Sequence, residues 1–527
     1  MKGKFRQSMS WLHTWCGLAC GWLLCAIFLT GTLSVFREPI TRWMEAEPLV
    51  AVDQSAAASD DTAMARSAES YLLEHARGAR FWRVEFPQYP GQALQLAWRD
   101  GSTLQQVSLS TETGKVLPGG GVRKTEGGRH FMSFHYMLHL PVLGFWLVGW
   151  LTVGMLVALV SGVVIHRRVF QDFFTFRPQK GLRSWLDAHN ATAIITLPFL
   201  LMIAYTGLAI FYTSYMPWPL QAAYGASPNA YSQFQSQLSG PVTLASPGSN
   251  TSITPNDWPS LLRQAQALTG QSPRMLLVQN PELPNATVRV MGRHEIAHPS
   301  QTLFTPQASV LFNGVTGETL QVQKPISETV SPGDRIYGVL RSLHFAEFGG
   351  WGIKWLYFVS GLLGMAMMAT GTLLFTIKRR NKSQKEFGAA TARIYRCIEA
   401  FNVASIAGIG VACIGYFYAN RFIPVDVPDR ATWEIRSFLL IWLATLIHAL
   451  IRPTARAWAE QFAAAAVLCL CLPLLNFYTT GQHIGGYLST GDWQRGSVEA
   501  VALGVGVMLV IALLKHRMAN QTTRSSI

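Results

Sequence analysis

Eight long apolar segments are the feature that most restricts how this chain can fold. They lie near residues 11–36, 138–165, 190–212, 353–377, 395–418, 434–451, 459–478 and 497–515. Each approaches or exceeds the length of about 20 residues that an α-helix needs to cross the hydrocarbon core of a bilayer. A segment in lipid must satisfy its own backbone hydrogen bonds, which favours helices. We therefore predict a polytopic α-helical membrane protein with about eight transmembrane helices.

The distribution of lysine and arginine predicts the orientation of these helices. Basic residues cluster in the first residues of the chain, in the loops 166–183 and 378–396, and in the C-terminal tail. Because such clusters stay in the cytoplasm, both termini are predicted to be cytoplasmic. The segments 41–130 and 213–343 then lie in the periplasm, and together they carry equal numbers of acidic and basic residues. The net charge of +14 therefore reflects topology and contact with membrane lipids, and does not indicate nucleic-acid binding.

The two periplasmic segments share one plan. Each contains an amphipathic helix candidate, at 65–76 or 257–270, followed by strands of alternating polarity and a final Thr-Gly turn. We therefore predict two small α+β domains, each inserted between an outgoing and a returning transmembrane helix. The predicted division is 1–40, first helix; 41–130, first periplasmic domain; 131–212, second and third helices with the cytoplasmic loop 166–188; 213–343, second periplasmic domain; 344–380, fourth helix; and 381–527, an extension of about four helices.

A repeated spacing of histidine and glycine marks the first four apolar segments. In each outgoing helix a Thr-Gly pair begins seventeen residues after a histidine, and in each returning helix a Ser-Gly or Thr-Gly pair begins twenty-six residues after one. The four sets are His13 with Thr30-Gly31, His189 with Thr206-Gly207, His135 with Ser161-Gly162, and His344 with Thr370-Gly371. We therefore interpret the first four helices as a duplicated unit.

The four histidines form two predicted pairs. His13 and His189 begin the outgoing helices near the cytoplasmic face, whereas His135 and His344 begin the returning helices near the periplasmic face. Two imidazoles brought together across a pseudo-twofold bundle suit the two faces of one iron porphyrin, and ionisable groups at membrane depth are costly and usually functional. We predict that these residues are axial ligands of two haems, with the nearby glycines allowing close approach of helix and macrocycle. The alternative is that each histidine only forms a hydrogen bond between helices.

Other histidines are weaker candidates. His139 lies one helical turn after His135 and could replace it as a ligand. His166 lies at the cytoplasmic mouth, either among lipid headgroups or beside the inner haem. No Asp, Glu or Cys accompanies the histidines at ligand spacing, which argues against another metal. The histidines of the C-terminal helices show no partner spacing and are interpreted as structural; they are His448, His483 and His516.

Several motifs together resemble one protein family. They are the returning helices "SFHYMLH" and "SLHF", the connecting stretch "HRRVFQDFFTFRPQKGLRSWLDAHN", and the two inserted external segments. In this combination the chain resembles the PepSY-associated transmembrane family of iron-regulated inner-membrane proteins, over roughly residues 8–382. The resemblance implies a location in the bacterial inner membrane, PepSY-like periplasmic domains, b-type haems in the bundle, and reduction of ferric siderophores in the periplasm. By position, His13 and His189 match the family's inner haem ligands, and His135 and His344 its outer ones.

A basic stretch at 119–134 runs from the first periplasmic domain toward His135. Arg123 and Lys124 are candidates for docking an anionic ferric chelate, and Arg129 for binding a haem propionate. An equally acceptable interpretation is a solvated basic loop at the membrane edge.

The function that these features predict is transmembrane electron transfer by a ferric-siderophore reductase. An electron from a cytoplasmic-side donor or a quinol would pass through two haems b to a ferric siderophore, whose hard oxygen ligands bind Fe(II) less strongly. The chain has no dinucleotide or flavin fingerprint, so the donor is a quinol or a separate partner. Two other classes remain open. One is a membrane-anchored protein that binds peptides or proteases through its external domains without redox activity, and the other is a transporter, which a duplicated architecture allows.

Overall fold

The structure, a computed structural model, describes residues 2–46, 61–88, 92–100, 103–117, 123–166, 182–227, 230–231, 233–234, 257–293, 303, 308–324, 332–387 and 389–525. Within these residues, eight helices are long and apolar enough to cross a membrane. They cover Lys4–Ser34, Leu143–Ile165, Leu182–Ala209, Gly350–Arg380, Thr391–Phe422, Arg430–Ile451, Thr454–Thr480 and Trp493–Arg517. The protein is therefore a polytopic helical membrane protein, as its apolar segments predicted.

The described elements are helices interrupted by two groups of strands. The first half of the chain contains α1 (Lys2–Ser34), α2 (Arg37–Glu45), α3 (Asp61–His75), β1 (Phe81–Glu85), β2 (Leu94–Asp100), β3 (Thr103–Leu109), α4 (Arg129–Met137), α5 (Leu143–Ile165), α6 (Leu182–Ala209), α7 (Tyr212–Tyr215) and α8 (Trp218–Tyr224). The second half contains α9 (Trp258–Thr269), β4 (Pro273–Gln279), β5 (Thr287–Gly292), β6 (Ser309–Asn313), β7 (Thr319–Gln323), α10 (Pro332–Phe345), α11 (Gly350–Phe387), α12 (Ala389–Val403), the π-helical turn Ala404–Gly408, α13 (Ile409–Phe422), α14 (Arg430–Ile451), α15 (Thr454–Thr480), α16 (Ile484–Ser489) and α17 (Trp493–Ser525).

Four helices form the core of the membrane bundle. Both α1 and α6 pack against the same two helices, α5 and α11. The interior is apolar and includes Leu24, Met155, Leu200 and Met367. Because lipid tails are as apolar as leucine, helices in a bilayer associate mainly by close packing. The end of the bundle that connects to the strands is its outer side, and the opposite end is its inner side.

A separate short helix that carries a histidine precedes each returning helix. His135 lies in the last turn of α4, and His344 in the last turn of α10. We predicted that both histidines begin the transmembrane helices themselves, and this was wrong. Pro141 cannot continue a helix, and Gly349-Gly350 readily adopts a left-handed turn, so the chain bends before α5 and α11. The residues with positive φ at the two bends are Leu138, His139, Ala346, Gly349 and Gly350.

The strands of both external segments form one antiparallel sheet. The order of its seven described strands is β3-β2-β1-β4-β5-β6-β7. The joint between the segments is the pairing of β1 with β4, in which Arg83 lies opposite Leu277. The sequence predicted two small separate domains, and the structure corrects this. The pairing covers an edge strand of each segment that would otherwise be exposed to unwanted association.

One apolar core supports the combined sheet. The helices α3 and α9 contact each other, and residues of both segments form a single buried cluster. Trp82, from β1, and Trp258, from α9, meet there with ring centroids 6.1 Å apart. Because each segment supplies part of the same core, the sheet and its two helices constitute one domain, called here the sheet domain.

Buried charged residues join the four C-terminal helices to the core. Arg421, in α13, donates hydrogen bonds to two main-chain carbonyls of α2, at 2.6 and 3.1 Å. Arg430, in α14, donates to the carbonyl of Lys124 at 2.7 Å and pairs with Glu434. Buried charges are tolerated where they are paired and hydrogen-bonded in this way. These contacts hold α2 and the segment that leads to α4 against the C-terminal helices.

We predict that Glu69 makes the stability of the sheet domain depend on pH. Burial, with a smaller contribution from Asp257, raises the pKa of this α3 residue to about 7. Because the folded state favours the neutral carboxyl, stability should fall as pH rises from about 4.5 to about 7 and stay constant above that. Glu69→Gln should remove this dependence and raise the melting temperature at pH 8.

Thermal unfolding of the purified protein between pH 5 and 8 tests this prediction. Glu74→Gln, an exposed position of the same helix, is the control and should retain the wild-type dependence. Equal pH profiles for wild type and Glu69→Gln would contradict the assignment.

Candidate functional site

The inner pair of histidines comes from the two outgoing helices. His13, in α1, and His189, in α6, have ring centroids 6.4 Å apart and ring planes 69° apart. They line a cavity of about 550 Å³ between the four core helices. His166, at the end of α5, lines the same cavity.

The outer pair comes from the two short helices that precede the returning helices. His135, in α4, and His344, in α10, have ring centroids 6.2 Å apart and ring planes 35° apart. They line a second cavity, of about 360 Å³. Leu24 and Met155 line both cavities, so the two sites share a wall inside the bundle. The structure thus brings together the histidines in the two pairs that the repeat predicted.

Hydrogen bonds fix which nitrogen of each imidazole faces its cavity. Nδ1 lies 2.8 Å from a main-chain carbonyl oxygen in three of the four residues: His13 with Ala158, His135 with Ile27, and His189 with Met367. A carbonyl oxygen only accepts hydrogen bonds, so Nδ1 carries the proton and Nε2 keeps its lone pair. The Nε2 atoms have no hydrogen-bond partner among the residues that the structure describes. An imidazole held in this way is ready to bind a metal.

His344 is oriented by a hydroxyl group in addition to the main-chain carbonyl of Ile203. Its Nδ1 lies 3.1 Å from Oγ1 of Thr206, and that hydroxyl donates its own proton to the carbonyl of Met202 at 2.7 Å. The hydroxyl therefore accepts from Nδ1, which leaves Nε2 as the lone-pair nitrogen. Burial lowers the pKa of His135 and lowers that of His344 to about 3. Both imidazoles are consequently neutral near pH 7, the form that binds metals.

The repeated Ser-Gly and Thr-Gly pairs explain how the imidazoles fit. Each glycine lies against the ring of a histidine from a neighbouring segment: a methyl group at Gly31 would lie 2.5 Å from Nδ1 of His135. The corresponding distances to Cε1 are 2.9–3.2 Å for Gly162 with His13, Gly207 with His344, and Gly371 with His189. The sequence interpretation assigned these glycines to close approach of a macrocycle. The structure shows that they make room for imidazoles.

The hydroxyl before each glycine bonds to the backbone of its own helix. Thr30 donates to the carbonyl of Ile27 at 3.1 Å, and Ser161 to that of Ala158, also at 3.1 Å. These two carbonyls are the ones that His135 and His13 bind. Each Ser-Gly or Thr-Gly pair therefore belongs to a short motif: a main-chain carbonyl, a hydroxyl three residues later and a glycine four residues later. The motif is visible in the sequence, but its partner on another segment is not.

His139 lies outside the outer cavity. Its Nε2 is 2.9 Å from Nδ1 of His130, and the two rings are stacked with centroids 4.9 Å apart. His130 is fully buried and stacks on Tyr416 of α13. The left-handed turn at His139 directs it toward the C-terminal helices. His135, and not His139, therefore faces His344.

The cations near the cavities differ from those that the sequence suggested. Arg123 donates to the carbonyl of Asn420 at 2.9 Å, and the carbonyl of Lys124 accepts from Arg430, so this segment lies against the C-terminal helices. Arg129 is an exposed residue 3.9 Å from Glu126. The cations that line the cavities are Arg37 at the outer one and Lys378 and Arg379 at the inner one. Arg37 was missed because it follows the first transmembrane helix, away from any basic cluster.

Fold and site together define a class of protein: a polytopic helical membrane protein whose duplicated bundle encloses two pairs of histidines and carries an extramembrane sheet. The chain belongs to the family described as the PepSY-associated TM region, whose model matches residues 10–379. It is also similar to the uncharacterized protein PA4219 of Pseudomonas aeruginosa, with 26% identity over 338 residues, covering 61% of this chain and 79% of the relative. The family that the motifs resembled is thereby confirmed.

We predict that Gly31→Ala will displace His135. A methyl group at this position overlaps the imidazole, and such overpacking costs about 1–3 kcal/mol of stability. Gly410→Ala is the matched control, because no heavy atom lies within 4 Å of a methyl group there. Alanine favours helices over glycine, so the control should be neutral or slightly stabilised. Melting temperatures in detergent measure both, and equal values for the two variants would contradict the contact.

Proposed function

We propose that this protein is a transmembrane electron carrier that binds two haems b and reduces ferric siderophores in the periplasm. The observation that carries the proposal is the pairing of imidazoles at both ends of one bundle, each with Nδ1 anchored and Nε2 available. A hydrogen bond between helices explains one such histidine, but it does not explain why two face each other twice. Membership of the PepSY-associated family supports the same interpretation.

The spacing of the rings fits one metal ion between the members of each pair. Metal–imidazole bonds in proteins are about 2 Å long, so two imidazoles on opposite sides of one iron have ring centroids about 6.3 Å apart. The observed values are 6.4 Å for His13 with His189 and 6.2 Å for His135 with His344. A hydrogen bond from Nδ1 to a carbonyl is the usual outer partner of a metal-bound histidine.

The surroundings of the pairs suit haem b better than a bare metal ion. Among the described residues, no group of three or more His, Cys, Asp or Glu side chains is placed to hold a metal ion. Both cavities are lined mainly by apolar side chains, as a macrocycle requires. Each also has a cation for the carboxylates of the haem: Arg37 at the outer cavity, and Lys378 or Arg379 at the inner one. Haem held by two histidines would supply a one-electron carrier at each end of the bundle.

The bundle brings the two pairs within one continuous apolar interior. Along α1, His13 and Ile27, whose carbonyl anchors His135, are separated by about 21 Å at a rise of about 1.5 Å per residue. Leu24 and Met155 lie between the pairs and touch both cavities. The hydrogen bonds from Nδ1 keep the imidazoles in place at both ends of this space.

The direction of transfer follows from topology and from iron chemistry. By the positive-inside rule we expect the sheet domain and the outer pair to lie on the periplasmic side of a bacterial inner membrane. A siderophore binds Fe(III) through hard oxygen ligands, so the gain of one electron weakens its hold on the iron. The donor on the other side is a cytoplasmic reductant or a quinol.

We predict that ligand variants will separate the two haems. His13→Ala and His189→Ala should remove one axial bond at the inner site only, and His135→Ala and His344→Ala at the outer site only. Haem content of the purified protein should fall from two per chain to about one, or one haem should become five-coordinate. Optical and electron paramagnetic resonance spectra report this change. His139→Ala is the control and should retain both spectra.

Two outcomes would count against the proposal. If folded wild-type protein purified from haem-sufficient cells shows no haem absorbance, the protein does not bind the proposed cofactor. Loss of both spectra in every single variant, with folding intact, would point to one shared site.

We also predict the orientation of the sheet domain. Alkaline phosphatase fused after residue 117 or 324 should be active, because these positions lie outside the cytoplasm by the positive-inside rule. The same reporter fused after residue 385 or at the C-terminus should be inactive. An active C-terminal fusion would show that the last four helices have the opposite arrangement.

A further inference from the structure

An aromatic groove lies beside the outer pair of histidines. It has a volume of about 1480 Å³ and runs between α5, the end of α6, α7 and α10. Its apolar side is formed by Trp146, Trp150, Val153 and Leu208. Trp146 is 46% exposed and Trp150 is 75% exposed, so the groove opens at the surface of the bundle.

Polar groups converge at one end of the groove. Tyr212 and Tyr337 meet edge to face there, with ring centroids 6.3 Å apart, and Tyr231 and Asp334 also line the groove. Tyrosines of an ordinary membrane-interface belt are distributed around a protein, whereas these share one concave surface. An apolar pocket with a few convergent polar groups is the usual form of a small-molecule site.

The groove and the outer cavity share a wall. Leu208, Ile210, Phe211 and Tyr215 line both of them. Phe211 stacks on Tyr136, with ring centroids 5.8 Å apart, and Tyr136 follows His135 in α4. A molecule in the groove is therefore separated from the outer pair by about one layer of side chains.

We propose that this groove is the substrate site, and that it takes a ferric chelate with aromatic or apolar ligands and no net negative charge. The inference rests on the proposed reductase function and adds the class of substrate. None of the described residues that line the groove is Lys or Arg, and Asp334 is acidic. The described cation that acts on Tyr337 is Arg341, which lies outside the lining and pairs with Glu347 at 3.0 Å. An anionic chelate would lose its hydration without a lining cation to pair with, whereas a neutral aromatic chelate would replace water on an aromatic surface.

The reaction in the groove is a single electron transfer. Ferric iron in the chelate gains one electron and becomes ferrous; a haem held by His135 and His344 would supply that electron. No covalent bond to a ligand atom is formed, and the net charge of the chelate becomes more negative by one. The apolar groove then favours release of the charged product.

Binding of a redox-inert chelate tests the groove without any electron transfer. The probe is gallium(III) tris(tropolonate), which is neutral and aromatic, and equilibrium dialysis against full-length protein in lipid nanodiscs measures its dissociation constant. Trp146→Ala should weaken binding about tenfold, as expected for loss of an aromatic anchor. Ala209→Phe, which places a ring in the groove, should weaken it as well. Trp433→Ala is the control: Trp433 is also 46% exposed, lies on the outer side and does not line the groove.

The outcomes distinguish the substrate class from the reductase function. Equal binding to wild type and to both groove variants would mean that the probe enters only the bilayer, and would overturn the proposal. Tighter binding of anionic gallium(III) citrate than of the neutral probe would overturn the substrate class. A quinone analogue that displaces the neutral probe, while iron(III) tris(tropolonate) is not reduced, would identify the groove as a donor site and overturn its role as substrate site. If the purified protein contains no haem but binds the probe as expected, the groove is a binding site and the reductase function is wrong.

Discussion

The rest of the site depends on one interaction, the hydrogen bond that Nδ1 of each site histidine donates to a neighbouring helix. The acceptor is a main-chain carbonyl or, for His344, also the hydroxyl of Thr206. This hydrogen bond needs a carbonyl at the correct height and a glycine four residues later, so that the imidazole can lie against the helix. The acceptor in three cases is a main-chain carbonyl, which side-chain substitution cannot remove. The register between helices therefore determines the distance between the two rings of each pair. Relative sliding of two helices by one residue would move that carbonyl by about 1.5 Å and break the bond.

The surroundings of the bundle help to maintain this register at the outer side. Neither His135 nor His344 belongs to a transmembrane helix, because each lies on a short helix that precedes one. Their positions consequently depend on what those short helices contact. The sheet domain links the two connecting segments through the β1–β4 pairing, and Arg421 and Arg430 hold α2 and the approach to α4 against the C-terminal helices. The C-terminal helices therefore help to hold α4, and with it His135, in position.

Features that depend on local pattern could be predicted from the sequence, and features that depend on contacts between distant segments could not. The apolar segments indicated all eight long helices, and the spacing of His13, His189, His135 and His344 indicated which residues share a site. The β1–β4 pairing joins residues nearly two hundred positions apart, and nothing in either strand marks its partner. Pro141 and Gly349-Gly350 indicate the bends after His135 and His344. They were overlooked because each histidine was assigned to the long apolar segment that follows it. The docking role of Arg123 and Lys124 stays a prediction: the charge of Arg123 did not indicate that its side chain contacts the carbonyl of Asn420.

The symmetry of the bundle has an evolutionary consequence. His13 pairs with His189 and His135 with His344, so each pair takes one member from each repeat. The sheet is divided in the same way, because β1 belongs to the first repeat and β4 to the second. A single repeat would contain one histidine of each pair and a sheet with an uncovered edge strand. It could complete the pairs and cover that edge only with a second copy related by a twofold axis. A homodimeric ancestor of half the core's length, later fused by gene duplication, accounts for this division. Fusion then allowed the two halves to diverge.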